Sequence, residues 1–266
     1  MLKTLLKKQM LEIFRSYFYD SKKNKQRSKA STIFYLLLFV LIMVGMMSGM
    51  FSLLAYALCG PLQSVGTGWL YFTLMGLLAV FLGAFGSVFN TYSGLYLSKD
   101  NDLLLSMPIP VSTIMAARLL AVYLMGLMYS SVATLPAAIV YWCVVPQTVS
   151  SVIGSLLLVA LVSLIVLFLS CALGWAVAKI SLKLKNKSFV TVLVSLLFIG
   201  VYYFFCLKAQ TLIQELIANA AVYGAKIKGA AYPLYLFGRV GEGDWLAIAV
   251  VSAVVLGLLA LTWYTL

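Results

Sequence analysis

Residues 149–177 read VSSVIGSLLLVALVSLIVLFLSCALGWAV, a run without one charged side chain. A helix needs roughly 20 apolar residues to cross a hydrocarbon core. This run exceeds that length and places Trp175 near one end, where an indole sits well at a membrane interface. Outward from it, comparable runs lie at 32–58, 68–92, 115–142, 189–207 and 245–266, making six predicted spans. Tyr71 and Phe72, Tyr141 and Trp142, and Trp245 cluster at their ends in the same way. Of the 266 residues, 64% are apolar and 10% charged, with a mean hydropathy of +1.06. A soluble domain has about 45–50% and about 25%, so a water-soluble core is excluded. The expected fold is all-α, a polytopic membrane protein with six transmembrane helices. Residues 1–30 form an N-terminal amphipathic interfacial helix and basic linker, and residues 31–266 form the six-span domain.

The net charge of +12 does not point to nucleic acid, because of where it lies. Nine of the nineteen Lys and Arg precede Ala30, and four more fall between Lys179 and Lys187. Basic clusters beside spans set orientation and meet anionic headgroups. Leu2, Leu5, Leu6, Met10, Ile13 and Tyr17 recur at helical spacing, with Lys3, Lys7 and Arg15 mostly off that stripe. That pattern suits a helix lying in the headgroup layer. The stretch from Ser21 to Lys29 reads as a solvated linker. The turns at 59–67 and 143–148 carry no Lys or Arg, whereas 97–118 and 178–188 carry Lys99, Arg118, Lys179, Lys183, Lys185 and Lys187. The positive-inside rule then puts the N-terminus, the second loop and the fourth loop in the cytoplasm.

Several kinds of chemistry drop out. The chain has no histidine, which removes His-based metal sites, bases and nucleophile pairs. Cys59, Cys143, Cys171 and Cys206 never form a C-x-x-C pair. Cys59, Cys143 and Cys206 fall near the same ends of spans, so a bridge among them stays open beside the reading as buried free thiols. All seven acidic residues lie outside the six runs. Intramembrane charges mark ion pathways and proton relays, so their absence argues against a secondary transporter. No phosphate-binding G-x-x-x-x-G-K-[ST] is present. No catalytic residue, metal site or bound cofactor is expected, and any energy must come from another polypeptide.

Small residues stripe the spans: Gly45, Ser48, Gly49 and Ser52; then Gly83, Gly86, Ser87, Asn90 and Gly94; then Ser163, Ser170 and Gly174. Such stripes let helices approach closely. Helix packing is the simpler account, and a pathway-lining face, with Ser87, Asn90, Thr134 and Ser170 as candidates, is the alternative. Asn90 leads that set because an amide in hydrocarbon needs a partner. Pro136 should kink the third span and free a carbonyl for a neighbour such as Thr134.

Two segments between spans stand apart. Residues 98–110 read SKDNDLLLSMPIP. Asp100 suits an N-cap, with Asp102 in the first turn. Leu103, Leu104 and Met107 give an apolar face, and Pro108 and Pro110 stop the helix. It is either a docking knob for a cytoplasmic partner or a helix resting on the membrane. Residues 210–239 hold a second amphipathic piece, with Leu212, Ile213, Leu216, Ile217 and Ala220 opposite Glu215 and Asn219. Tyr232, Pro233, Tyr235 and Phe237 follow as an interfacial plug, a gate or a lid.

These residues resemble bacterial ABC-exporter permeases of the type-two exporter class. The likeness runs over nearly the whole chain: GWLYFTLMGLLAVF from Gly68 and FGSVF from Phe85, then KDNDLLLSMPIP from Lys99, its most specific part, LKNK from Leu184, and YPLYLFGR from Tyr232. The resemblance implies a coupling helix between spans two and three that sits on a cytoplasmic ABC ATPase subunit. It places Asp100, Asn101, Asp102, Leu103, Leu104 and Pro108 at that contact, beside Met107 of the apolar face. It also implies two short membrane-embedded helices before the last span. ATP and magnesium would bind the partner ATPase, not this chain. The other implied partners are a second permease copy or half and membrane lipids, with no nucleic acid, in the bacterial cytoplasmic membrane. Close relatives in that class continue into a second set of spans, so the chain reads as a half-size permease or the front half of a longer one. A scaffold or assembly factor is the main rival function, and a secondary transporter the weaker one.

Overall fold

The computed structural model describes residues 2–14, 18–20, 25–96, 104, 106, 108–183, 208, 211 and 213–265. The expected fifth span at 189–207, the basic residues Lys185 and Lys187, and Cys206 lie outside the described residues.

The described chain is helical almost throughout. An amphipathic helix, α1 (Leu2–Ile13), comes first. Two-residue strands, β1 (Tyr19–Asp20) and β2 (Lys25–Gln26), pair antiparallel. The middle of the expected linker is thus paired with the residues just before it, a pairing that its charged composition did not suggest. Then come α2 (Lys29–Ser64), α3 (Gly68–Tyr96), α4 (Val111–Val144) and α5 (Val149–Lys183). Two short helices, α6 (Ala220–Ala230) and α7 (Tyr232–Glu242), precede α8 (Trp245–Thr265). Among the described residues, five helices, α2, α3, α4, α5 and α8, are long and apolar enough to cross a membrane. The chain is an all-α, multi-pass membrane protein.

Local chemistry sets the ends of these helices. The Ser28 hydroxyl accepts from Ser31 N–H and starts α2. A wide π turn at Leu41–Met47 interrupts α2, and there the Ser48 hydroxyl reaches back to the Met43 carbonyl at 3.5 Å. Pro61 stands in its last turns, and Gly66, at φ +72°, reverses the chain into α3. Thr67 closes that turn by donating both its amide and its hydroxyl to Leu62 O, at 2.9 and 3.0 Å.

Three spans form the heart of the molecule: α3, α4 and α5 pack against one another, and the second half of α2 lies on α4. Ala55, Leu58, Cys59 and Leu62 bury that half, whereas no residue of 29–47 is buried. The gap between α3, α4 and α5 closes because Val166, wholly buried, drops between two glycines. A Cβ on Gly83 would lie 2.7 Å from one Val166 methyl carbon, and one on Gly126 would lie 2.9 Å from the other. Beside this crossing the Ser87 and Ser170 hydroxyls meet at 2.5 Å and those of Ser130 and Ser163 at 3.2 Å. Between apolar helices in lipid, such close approach and hydrogen bonding replace the hydrophobic effect as the force that picks partners.

Pro136 does sit inside α4, but Thr134 does not serve the carbonyl it frees. The Thr134 hydroxyl donates to Ser130 O at 3.1 Å. A helical threonine reaches the carbonyl three or four residues before it, whereas the carbonyl released by Pro136 belongs to Val132. One residue after Pro136, the Tyr71 hydroxyl donates to Ala137 O at 2.7 Å and bolts α3 to this part of α4.

Candidate functional site at the two ends of the bundle

One end of the bundle is organised around α1. Its flank of Leu5, Lys8, Gln9 and Glu12 faces Ile114, Ala117 and Arg118 at the start of α4. Leu104 is lodged in the same junction and is only 6% exposed. Of the expected coupling contact, Asp100, Asn101, Asp102, Leu103 and Met107 lie outside the described residues. Leu104 therefore faces its own chain and anchors the segment, while Pro108 is exposed. Pro110, at φ −58°, leads directly into α4.

The end of α3 that feeds this segment is held just as firmly. A second π turn, Tyr92–Tyr96, finishes α3. The Tyr96 hydroxyl donates to Cys171 O at 3.0 Å, which ties the turn to α5. Gly174 makes room, since a Cβ there would meet the Tyr96 ring at 3.1 Å. Lys179 caps this region with its ammonium 4.6 Å from the centre of the Trp175 ring.

Of the four candidate lining residues, three have their hydroxyls spent inside the bundle. Ser87 and Ser170 are fully buried against each other, and Thr134 is buried on its own helix. Asn90 differs. It is half-buried, and its side-chain amide has no hydrogen bond among the described residues.

The opposite end is built from α6 and α7. Ile213, Leu216 and Ile217 pack on the core and Ala220 is buried, while Glu215 and Asn219 are exposed, as their spacing predicts. The 232–242 segment is a regular helix rather than a loose plug. It wedges among α3, α5 and α8 on Phe237, Gly238, Val240 and Gly241. The Tyr235 ring meets Trp69 edge-on, with centroids 4.9 Å apart. Gly243, at φ +89°, ends α7 in the left-handed conformation that glycine tolerates best.

A charged cluster sits where α7 hands over to α8, and sequence reading gave it no role because each residue looked like an ordinary loop charge. Arg239 donates from Nε and Nη2 to one Asp244 oxygen, at 3.1 and 2.8 Å, and lies 3.4 Å from Glu242. Asp244 accepts from Leu246 N–H at 3.1 Å and so caps α8. Glu242 accepts from Trp69 N–H at the start of α3, where the helix dipole favours an anion. The Arg239 hydrogen bond holds the Asp244 carboxyl below its ordinary value, and burial pushes Glu242 up despite Arg239.

The signs give a pH prediction. Asp244, depressed on folding, contributes stability above its ordinary value of 3.8, and that contribution is lost as pH falls through the still lower folded value. Glu242, raised on folding, opposes the fold when ionised and ceases to do so as pH falls below its ordinary 4.5. Asp244→Asn should therefore lower the melting temperature at neutral pH, with the gap to wild type closing only below about pH 4. Glu242→Gln should raise it or leave it unchanged at neutral pH. Melting curves in detergent between pH 3 and 8 check both, and a neutral-pH loss with Glu242→Gln would contradict this account.

Compared with known proteins, the chain matches no family model, no curated protein and no solved structure. A function must therefore be argued from the residues and their geometry.

Proposed function

We propose that this chain is the transmembrane permease subunit of an ATP-driven, ABC-type exporter in a bacterial cytoplasmic membrane. In this reading α1 faces the cytoplasm, and the route for cargo forms with a second permease copy or half. A separate cytoplasmic ATPase binds ATP and magnesium and supplies the work. The residue 97–110 segment is the handle on which that ATPase pulls, with Asp100, Asn101, Asp102, Leu103, Met107 and Pro108 at the contact.

The build of the α1 end supports this reading most. A short segment between two spans has one end tied to α5 through Tyr96 and its middle locked under α1 and α4 through Leu104. A push that reached Leu104 and Tyr96 would bear on α1, α4 and α5. A partner shifts the equilibrium between two shapes only through unequal contact with them. The α6–α7 wedge at the other end has the place of an exit-side closure, and Asn90 is the polar group available to cargo. A cargo that is amphipathic or hydrophobic fits walls of aromatic and small side chains.

The test is reconstitution with a candidate cassette ATPase. Asp102→Lys should break the contact and Leu104→Asp should unseat the handle. Each is expected to cut ATP-driven transport by about tenfold or more, equivalent to about 1.4 kcal/mol, with Asp102→Lys leaving the melting temperature unchanged. Partner ATPase activity indifferent to the presence of this chain would favour a scaffold. Transport that persists without ATP and follows a proton or sodium gradient would make it a secondary transporter.

A further inference from the structure

Helix α1 has a second flank. It docks on α4 through Leu5, Lys8, Gln9 and Glu12, and the residues between them in sequence turn toward α2. There Met10, Phe14, Phe18, Leu36 and Phe39 enclose an open cleft of about 360 Å³, within the range of small-molecule sites. The Phe14 and Phe39 rings meet edge-on across it, centroids 6.4 Å apart. Lys7, itself exposed, is the charged member of its lining.

The depth of the cleft says what fits it. At 1.5 Å of rise per residue, Leu36 and Val40 lie about 10 and 16 Å along α2 from Lys29. On α2 the cleft is therefore lined at the depth of lipid tails, and its charged lining residue, Lys7, comes from α1. Several cations lie around its α1 side, with Asp20 set opposite Lys25 in the β1–β2 pair. Lys3, one turn before Lys7 on the same flank, is exposed, as are Lys25 and Lys29. Arg27 binds the Phe18 carbonyl through its backbone N–H at 3.0 Å, and its guanidinium stacks 4.2 Å from the centre of the Tyr35 ring. The acidic residue of α1, Glu12, is on the other flank. An elongated apolar slot with a cationic mouth complements one chemistry, an acyl chain joined to an anionic headgroup.

We propose that this cleft binds one anionic phospholipid, an acyl chain lying between α1 and α2 and its phosphate at Lys7. The lipid completes the contact between α1 and the first span, which protein atoms leave unfilled. Bound there, it sets the position of the helix that also holds Leu104. The site is independent of what the protein transports.

The experiment is native mass spectrometry of the full chain in detergent, titrated with phosphatidylglycerol and with phosphatidylcholine of the same chains. One phosphatidylglycerol should be retained at a concentration about tenfold lower than phosphatidylcholine, a difference of about 1.4 kcal/mol. Lys7→Glu should abolish that preference. Met10→Trp, which fills the cleft from α1, and Leu36→Trp, which fills it from α2, should remove the bound lipid at unchanged melting temperature. Equal retention of the two lipids by wild type would overturn the proposal. So would phosphatidylglycerol binding that survives both tryptophans, which would show a basic surface without a chain site. Competition by inorganic phosphate at equal concentration would assign the site to a free anion instead and also overturn it.

Discussion

Gly238→Val is expected to unseat α7 and cost the protein about 3 kcal/mol, the upper end of what overpacking usually costs. Gly238 lies against the backbone of α3. A Cβ there would stand 2.9 Å from the Trp69 carbonyl carbon and closer still to its oxygen and to the Thr73 hydroxyl. A flexible side chain could swing away, but a helix backbone cannot. Nor can α7 simply lift, because Gly241 presses on the Phe72 ring and the Gly243 turn fits against Ser150 and Ser151. Displacing it would also pull Glu242 from Trp69 N–H and part Tyr235 from Trp69. The expected drop in melting temperature is roughly 6–12 °C for a chain of this size. A cysteine placed at Val240, wholly buried in the native helix, reports on the same event. In a background with exposed Cys143 replaced by Ser, it should resist alkylation in the parent and react in the Gly238→Val variant. Equal protection in both would mean that α7 is not held by this contact.

Gly83→Leu should do comparable damage at the centre of the bundle. Gly83 and Gly126 form the hollow that receives Val166, and a Cβ on Gly83 would lie 2.7 and 2.9 Å from its two methyl carbons and 3.3 Å from Ser130 Cβ. A leucine must therefore push α3 away from both α4 and α5. That would also part the Ser87–Ser170 and Ser130–Ser163 pairs, each worth about 0.6 kcal/mol by the average for polar pairs between membrane helices. A double-mutant cycle isolates the cause. Gly83→Ala alone should destabilise, and the same change in a Val166→Ala background should cost at least about 1 kcal/mol less, because the obstructing methyls are gone. Strictly additive effects would show that the Val166 side chain is not what the glycine accommodates.

The legible and illegible parts of this fold divide along the same physical line. Residues 149–177 announce a span because their transfer into lipid needs no partner, and the same holds for the runs that became α2, α3, α4 and α8. The flank of α1 was readable since its apolar and basic residues alternate at helical spacing, and so was that of 213–220. In α3 and α5 the stripe members Gly83, Ser87, Ser163, Ser170 and Gly174 lie at helix contacts, whereas Gly94 faces open space. Their partners were not readable. Ser87 could have met any polar group on any neighbour, and only the assembled bundle pairs it with Ser170. Leu104 shows the limit most clearly. Its spacing puts it on a short apolar face that either docks a partner or rests on the membrane, and the structure lodges it against α1 and α4 of its own chain.

By itself the amino-acid sequence determined that this protein is helical and crosses a membrane several times. It also determined that Pro136 falls inside a span and that no histidine chemistry is open to it. These follow from the cost of placing each residue in lipid, a sum taken along the chain. The tertiary structure alone decided that α3, α4 and α5 close around Val166 while the first half of α2 stays outside. It alone turned Arg239, Glu242 and Asp244 into one cluster that caps two helices. The reason is that lipid tails are as apolar as leucine, so hydropathy drives every span into the membrane without preferring any neighbour. Shape and a few hydrogen bonds make that choice, and both depend on residues far apart in the chain.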